Sequence, residues 1–204
     1  DSNRVTERPF VALSMGLVGF DVDRKNRKPA ALKEELAQVI RADLAAMKGD
    51  QVALGAQAIA LGMLGDGESV DLLTKILADR GREKRLRGAA AIGLGLIGDR
   101  SASETILKTL REREERKLRI DTAVAAGLLS PSDAVDVLVK TIGDRKASQF
   151  TLGSVALALG QIGDHRAIDP MVAILEPGKV DGSYPDLTRA LVAVALGQLS
   201  DRRD

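Results

Sequence analysis

The sequence predicts an all-α fold, a solenoid in which short helix pairs stack on one another along the chain. Three observations lead to this prediction. A nine-residue motif recurs at nearly regular intervals, the segments between its copies carry apolar residues at helical spacing, and the apolar residues are mostly aliphatic. Hydrophobic residues make up 45% of the 204 residues, but aromatic residues only 2%. A core of Ala, Leu, Ile and Val favours closely packed helices.

The motif has four clear copies, which begin at Ala58, Ala91, Ala156 and Ala193. The first of them reads Ala-Ile-Ala-Leu-Gly-Met-Leu-Gly-Asp, and two weaker copies lie at 12–21 and 123–131. One glycine aligns in all six copies; these aligned glycines are Gly16, Gly62, Gly95, Gly127, Gly160 and Gly197, which are 46, 33, 32, 33 and 37 residues apart. A period near 33 residues accommodates two helices and two turns.

Each repeat is predicted to contain a first helix, which carries the motif, and a second, amphipathic helix. Val135, Leu138, Val139 and Ile142 form one i, i+3, i+4, i+7 stripe of such a second helix. First helices are expected at about 7–18, 51–64, 84–97, 116–129, 148–162 and 186–199. Second helices are expected at about 30–47, 68–78, 101–113, 131–142 and 165–175. Because no segment alternates apolar and polar residues between turns, no strand is predicted.

The motif also has a mechanical interpretation. Its Ala and Gly residues allow neighbouring helices to approach closely, its late glycine ends the first helix, and its Asp caps the second helix. The recurring acids are therefore interpreted as caps rather than as metal ligands; they are Asp66, Asp99, Asp164 and Asp201. Two further start signals are a capping box formed by Ser101 with Glu104, and a Ser cap followed by Pro in the run 130–133.

The pattern Ala-x-x-Leu-Gly-x-Ile-Gly-Asp resembles that of HEAT repeats, specifically the short bacterial type named after phycobilisome lyases. The resemblance covers essentially the whole chain and implies a right-handed α-α superhelix of about six helix pairs, forming a single domain over residues 1–204. Since the chain starts and stops on a first helix, we expect it to be a segment of a longer protein. The resemblance also implies an alternative function, that of a bilin lyase-like enzyme or chaperone.

Residues suited to catalysis, cofactor binding or metal binding are scarce. His165 is the only histidine and cysteine is absent, so this chain cannot by itself form a catalytic triad or a multi-histidine metal site. The HEAT-repeat hydroxylases resemble this fold but hold iron through repeated His-Glu pairs that this chain lacks. Gly93, Gly95 and Gly98 match the dinucleotide-binding pattern G-x-G-x-x-G, yet they follow a helix-like segment instead of a strand. We therefore predict a protein that is not an enzyme and needs no cofactor.

Charge is balanced overall but clustered locally. The chain has 30 Lys and Arg against 29 Asp and Glu, and no apolar run long enough for a membrane span. A candidate anion-binding edge consists of Arg80, Arg82, Lys84, Arg85 and Arg87, with weaker basic groups at 24–28, 111–119 and 145–146. Stacking would align the groups at 80–87, 111–119 and 145–146 into a discontinuous basic stripe able to meet an acidic protein or a phosphate backbone. With one Tyr, three Phe and no Trp, single-stranded nucleic acid is disfavoured as a partner.

The leading hypothesis is a non-catalytic protein-protein interaction scaffold that binds through the concave face of the solenoid. Second helices are expected to line this face with side chains of mixed charge; the candidates are Asp71, Thr74, Lys75, Lys108, Asp136, Lys140 and Asp169. A lining of this kind predicts a polar interface with several scattered contacts rather than one aromatic pocket.

Overall fold

Every regular element is helical in the part of the chain that the computed structural model describes, which is residues 9, 11–17, 30–47, 49–112, 115–129, 134–176 and 184–200. The chain divides into two compact units, Asp1–Thr105 and Ile106–Asp204. Each unit is a stack of helix pairs. The all-α class is therefore confirmed, whereas the expectation of a single repeat domain stays a prediction.

The first unit is built around α3. Its helices are α1 (residues 11–17), α2 (Ala30–Ala45), α3 (Gln51–Leu64), α4 (Val70–Ala78) and α5 (Lys84–Ile97). Helix α3 packs against both α2 and α5, and α4 packs against α5. A single 3-10 turn, Gly67–Ser69, leads into α4. The core between these helices consists of fully buried aliphatic side chains such as Leu61, Leu73 and Leu94.

The second unit repeats this arrangement around α9. A 3-10 turn, Arg100–Ala102, leads into α6 (Ser103–Arg111), which runs across the division between the units. The remaining helices are α7 (Arg116–Leu129), α8 (Ala134–Ile142), α9 (Gln149–Ile162), α10 (Ile168–Leu175) and α11 (Asp186–Ser200), and the turn His165–Ala167 precedes α10. Helix α9 packs against both α7 and α11, α8 packs against α9, and α10 packs against α11.

The predicted helix positions agree closely with the observed ones. Helices α3, α5 and α7 coincide with the first helices expected at 51–64, 84–97 and 116–129. The second helices α4, α6 and α10 begin two or three residues later than expected, because a 3-10 turn occupies the first positions of each segment. Within the described residues, none of these helices is long and apolar enough to span a bilayer.

The late glycine of the motif ends the first helix as predicted. Gly65, Gly98 and Gly163 follow α3, α5 and α9 with φ angles of 66°, 81° and 79°. These values lie in the left-handed region, where a residue with a Cβ atom is strained and glycine is not. The motif glycine is thus required by the turn that joins the two helices of a repeat.

The motif Asp residues cap the 3-10 turns rather than the second helices themselves. Asp99 Oδ1 accepts a hydrogen bond from the Ser101 N–H, and Asp164 Oδ1 accepts one from the Arg166 N–H, both at 2.9 Å. Asp66 makes no such bond. The predicted capping box is wrong, because Ser101 lies inside the turn and α6 begins only at Ser103. Asp201 and the run 130–133 lie outside the described residues.

The aligned glycines bring consecutive first helices into backbone contact. The observed contacts are Gly16 with Ala60, Gly62 with Gly93, Gly127 with Ala158 and Gly160 with Ala195, and a Cβ atom on each glycine would lie 2.7 to 3.0 Å from its partner's Cα. Every partner stands two positions before the aligned glycine of the next first helix. The small residues of the motif therefore set both the spacing and the register of the stack. Gly93 is part of this contact inside α5, which accounts for the apparent dinucleotide-binding pattern.

Candidate functional site

The residues predicted to line the binding face all lie on second helices. Asp71, Thr74 and Lys75 are on α4, Lys108 is on α6, Asp136 and Lys140 are on α8, and Asp169 is on α10. All are exposed except Thr74. The Thr74 hydroxyl is buried, and no hydrogen-bond partner for it lies among the described residues. Thr74 therefore belongs to the packing between helices, while the other six residues are accessible to a partner.

Most of the predicted basic edge is also accessible. Arg80, Lys84 and Arg85 are exposed, and Arg82 is half-buried with its Nε 3.1 Å from Asp79 Oδ2. These four side chains occupy the turn between α4 and α5 and the first turn of α5. Whether they bind an anion stays a prediction.

Arg87 does not belong to this edge. Its side chain is 2% exposed, and its Nε donates a hydrogen bond of 2.8 Å to the carbonyl oxygen of Leu77, in the last turn of α4. The last carbonyls of a helix have no donor within the helix, so Arg87 caps the end of α4. The physical reason is helical register: Arg87 lies three and seven residues before the buried Ala90 and Leu94, on the inner face of α5.

A cleft of about 500 Å³ opens in the second unit. It lies between the end of α6, the first turn of α7, α8 and the turn after α8, and it is lined by Leu110, Arg111, Arg119, Asp136, Val137, Lys140, Thr141, Gly143 and Asp144. Two of these residues, Asp136 and Lys140, were predicted to line the second-helix face. Arg111 and Arg119 come from a basic group that was predicted to lie on the turn edge. The cleft is where these two sets of residues meet.

Arg119 enters the cleft from α7 and is held there loosely. Its side chain is 12% exposed, and its terminal nitrogen NH2 lies 3.7 Å from Asp144 Oδ2. That separation permits Coulomb attraction but exceeds hydrogen-bond length. The Nε of Arg119 is buried, with no acceptor among the described residues. Asp144 is itself fixed in the turn after α8, because its N–H donates to the Thr141 carbonyl and its Oδ1 accepts from the Lys146 N–H, both at 3.1 Å.

The second carboxylate of the cleft, Asp136, is paired with an arginine of the next repeat. Arg166 NH1 lies 3.0 Å from Asp136 Oδ1, while Nε and NH2 of the same guanidinium donate to Asp164 at 3.1 and 2.8 Å. The hydrogen bonds from the Arg166 side chain, followed by that from its N–H, lower the pKa of Asp164 from 3.8 to about 2. Asp164 thus stays ionised and holds Arg166 in the position from which it reaches Asp136.

The two remaining cations of the cleft, Arg111 and Lys140, are exposed. Neither has an ion-pair partner within the described part of the chain. Since each cleft carboxylate already has an arginine, Arg111 and Lys140 give the cleft a surplus of positive charge. The arrangement is suited to binding an anion, because lysine and arginine side chains offer hydrogen-bond donors and no acceptor.

Sequence reasoning missed an alignment that explains Arg119. Arginine stands eight positions before the aligned glycine in three repeats, at Arg87, Arg119 and Arg189. Arg87 Nε donates to the last turn of the preceding second helix, and NH2 of Arg189 lies 3.5 Å from the Leu175 carbonyl at the end of α10. Arg119 is the member of this set whose Nε is buried without an acceptor among the described residues. The spacing in the sequence contained this signal.

A second missed contact stabilises the first unit. Arg41, on the long helix α2, donates from Nε and NH2 to the two carboxylate oxygens of Asp66 at 2.8 and 2.7 Å, and also pairs with Glu68. The hydrogen bond to Asp66 is the main cause that raises the pKa of Arg41. Asp66 is thereby occupied by an arginine instead of capping its turn. The contact is structural, since the Asp66 side chain is 3% exposed.

His165 lies on the surface. It opens the 3-10 turn before α10, its side chain is 87% exposed, and its Nδ1 lies 3.9 Å from Asp164 Oδ1. Among the described residues, no group of three His, Asp or Glu side chains is arranged to hold a metal ion.

Comparison with known proteins finds a family to which part of the chain is similar. Residues 103–182, which contain α6 to α10 and the cleft, match the family model for HEAT repeats. No curated protein matches the chain in sequence. The finer resemblance to the short bacterial lyase type stays a prediction, because the match does not separate the subtypes.

The whole chain is similar in structure to human deoxyhypusine hydroxylase, solved in complex with glycerol. The two share 15% sequence identity at a TM-score of 0.55, over 95% of this chain and 89% of that one. Likeness at this identity shows the fold alone. The predicted helical solenoid is therefore confirmed, and the function must be argued from the residues of this chain.

Proposed function

We propose that the chain is a non-catalytic scaffold that binds another protein through the face lined by its second helices, which is the concave face in solenoids of this kind. The cleft of the second unit carries this proposal. There, Asp136 and Lys140 of α8 converge with Arg111 and Arg119 on a concavity whose cationic groups exceed its carboxylates. Charged side chains around a concave patch favour specific recognition of a partner and steer its approach.

The structural neighbour is an enzyme by name, but the residues of this chain favour binding. One histidine is too few for a multi-histidine metal site. The cleft carboxylates Asp136 and Asp144 are each engaged by an arginine. A general base needs access to a substrate proton. A carboxylate that is engaged by an arginine offers less access, so neither Asp136 nor Asp144 is favoured as a general base. The apolar lining consists of Leu110 and Val137 without an aromatic ring, so it does not favour the pigment-binding alternative.

The proposal is tested by charge reversal on the second-helix face. The immobilised chain is used to capture partners from a lysate of the source cells, and the retained proteins are compared for three forms: the natural chain, Arg111→Glu/Lys140→Glu, and Lys84→Glu/Arg85→Glu. The last is a matched control, since it changes the same number of exposed cations in the first turn of α5, which is a first helix and contributes nothing to the cleft lining. We expect specific proteins to be lost only with Arg111→Glu/Lys140→Glu. Equal retention by all three forms would contradict binding through this cleft.

A further inference from the structure

We infer that the cleft recognises carboxylates on an acidic segment of the partner, with Arg111, Arg119 and Lys140 as the receiving groups. The inference rests on the proposed function, because it names the chemistry of the protein that this face binds. It is carried by three observations: the charge surplus of the cleft, the unsatisfied Arg119 guanidinium, and the departure of Arg119 from its equivalents in other repeats.

The charge surplus follows from the pairing already present. Arg166 occupies Asp136 and Arg119 attracts Asp144, which leaves Arg111 and Lys140 without partners in the described structure. A ligand with two neighbouring carboxylates would pair with both of these cations. Arginine and carboxylate form two parallel hydrogen bonds, whereas lysine acts as a point charge that is less demanding in geometry. Arg111 and Lys140 can therefore receive two carboxylates that enter the cleft to slightly different depths.

The Arg119 guanidinium supplies a binding group that the free protein leaves incomplete. Burying a guanidinium nitrogen without an acceptor is unfavourable, and the Nε of Arg119 is in this state. Its contact with Asp144, at 3.7 Å, is too long to fix its orientation. When a carboxylate enters the cleft, the guanidinium can turn toward it and gain the hydrogen bonds it lacks. Binding therefore satisfies a polar group instead of breaking an existing hydrogen bond.

The comparison between repeats indicates that Arg119 lacks the helix-capping role that Arg87 has at the equivalent position. At the equivalent position, Arg87 gives its Nε hydrogen to the Leu77 carbonyl and is buried. In Arg119 that same nitrogen has no acceptor. Without a hydrogen bond to the end of the preceding helix, Arg119 adds little to stability, but it places a cation beside Arg111 and Lys140. Arg87 is thus a natural control for Arg119, since the two share a position in the repeat and differ in what they contact.

The cleft favours an acidic peptide over nucleic acid. Asp136, whose side chain is 78% exposed, stands among the cations and would repel a phosphate backbone that passes over it. Nucleic acids are held by a continuous track of cations with stacking aromatic rings, and the cleft lining contains neither. Leu110 and Val137 instead offer apolar contact for the methylene groups of glutamate side chains. An acidic segment rich in Glu fits these features.

The test uses the full chain and a fluorescein-labelled peptide of consecutive glutamates, with binding followed by fluorescence anisotropy. A labelled oligothymidylate and a polylysine peptide serve as comparison probes. We expect the glutamate peptide to bind, and Arg111→Glu/Lys140→Glu to weaken it at least about tenfold, since two charge contacts are lost. The control Lys84→Glu/Arg85→Glu should change the affinity by less than about twofold once salt screens remote charges.

Substitution of Arg119 separates a binding role from a structural one. Arg119→Met should weaken the glutamate peptide several-fold while leaving the urea midpoint nearly unchanged, and Arg119→Lys should restore only part of the affinity because the fork geometry is lost. Arg87→Met should instead lower the urea midpoint, while the folded protein should bind the glutamate peptide with unchanged affinity. A fall in the midpoint for Arg119→Met as large as that for Arg87→Met would overturn the assignment.

The remaining outcomes distinguish this inference from the proposed function. If oligothymidylate binds more tightly than the glutamate peptide, and Lys84→Glu/Arg85→Glu weakens its binding, the basic edge binds nucleic acid and the inference is overturned. If neither probe binds while Arg111→Glu/Lys140→Glu still abolishes capture from lysate, the acidic-segment inference fails and the scaffold proposal stands. If the glutamate peptide binds through the cleft but no lysate protein depends on it, carboxylate recognition is supported and the scaffold proposal fails.

Discussion

The contact between aligned glycines and the next first helix leads to an unusual expectation, that one substitution has opposite effects in two copies of the same motif. Gly62 and Gly197 occupy the same repeat position. A Cβ atom at Gly62 would lie 2.7 Å from the Gly93 Cα, whereas a Cβ atom at Gly197 would meet no atom within 4 Å. We expect Gly62→Ala to destabilise the protein and Gly197→Ala to stabilise it.

The magnitude follows from the geometry. Ordinary contact for a Cβ atom begins at 3.4 Å, so at Gly62 the backbones of α3 and α5 must separate by several tenths of an ångström. A gap of that size along a packed interface forfeits part of the dispersion energy of every contact in it, and overpacking typically costs about 1–3 kcal/mol. The gain in helix propensity from Gly to Ala offsets about 1 kcal/mol. The net loss is about 0–2 kcal/mol, against a gain of about 0.5–1 kcal/mol at Gly197.

The assay is urea denaturation followed by helical circular dichroism, with both variants compared against the natural chain. Because each change adds one methyl group, differences in solvation and side-chain entropy largely cancel between the two. The same sign of effect in both variants would refute the argument that the glycines set the spacing of the stack, as would a stabilising effect of Gly62→Ala.

Three further substitutions test individual side chains. Arg87→Met keeps the side-chain volume but leaves the Leu77 carbonyl without its donor, so the free energy of unfolding should fall by about 1–3 kcal/mol in urea denaturation. Burial raises the pKa of Asp121, against the opposing effect of Lys117, so the folded state favours the protonated carboxyl, and this contribution to stability is lost as pH rises through the raised pKa. Asp121→Asn should therefore stabilise the protein at pH 7 by less than about 1 kcal/mol, and melting curves in acid should show no such advantage. The lowered pKa of Asp164 stabilises the folded state at pH values above 3.8, the ordinary pKa of the group, and this stabilisation is lost as pH falls toward about 2. Thermal melts of Asp164→Asn should lack that part of the acid dependence, which is less than about 1 kcal/mol at this exposed pair. An unchanged pH profile would contradict the pairing with Arg166.

The fold was predictable because its determinants are local and periodic. The left-handed turn after α3, α5 and α9 requires the late motif glycine, at Gly65, Gly98 and Gly163, so the ends of these first helices follow directly from the sequence. The second helices begin later than predicted because Asp99 and Asp164 cap a 3-10 turn, a distinction that the apolar spacing does not carry. Asp66 departs from the motif because Arg41, 25 residues earlier in the chain, takes its carboxylate, and that pairing depends on how α2 packs.

The candidate site was predictable only in part, for a related reason. Asp136 and Lys140 were recognised as exposed residues of a second helix, and the exposure of both is observed. Their meeting with Arg111 and Arg119 depends on the way α6, α7 and α8 pack, which no pattern within a single helix reveals. Arg87 was misplaced on the basic edge because it follows other cations in the sequence, although the helical register already set it on the same face as Leu94.

The repeat itself suggests where function is to be sought in such a chain. Residues that recur in every copy, such as the aligned glycines, mostly serve the contacts between consecutive first helices, as Gly62 and Gly160 do. Specific recognition must then come from positions where one repeat departs from the others. Arg119 is such a position: its equivalent Arg87 completes the end of a helix, whereas Arg119 leaves that bond unmade and places its guanidinium in a cleft with unpaired cations. A loss of binding without loss of stability on substitution of Arg119 would establish that this departure serves recognition.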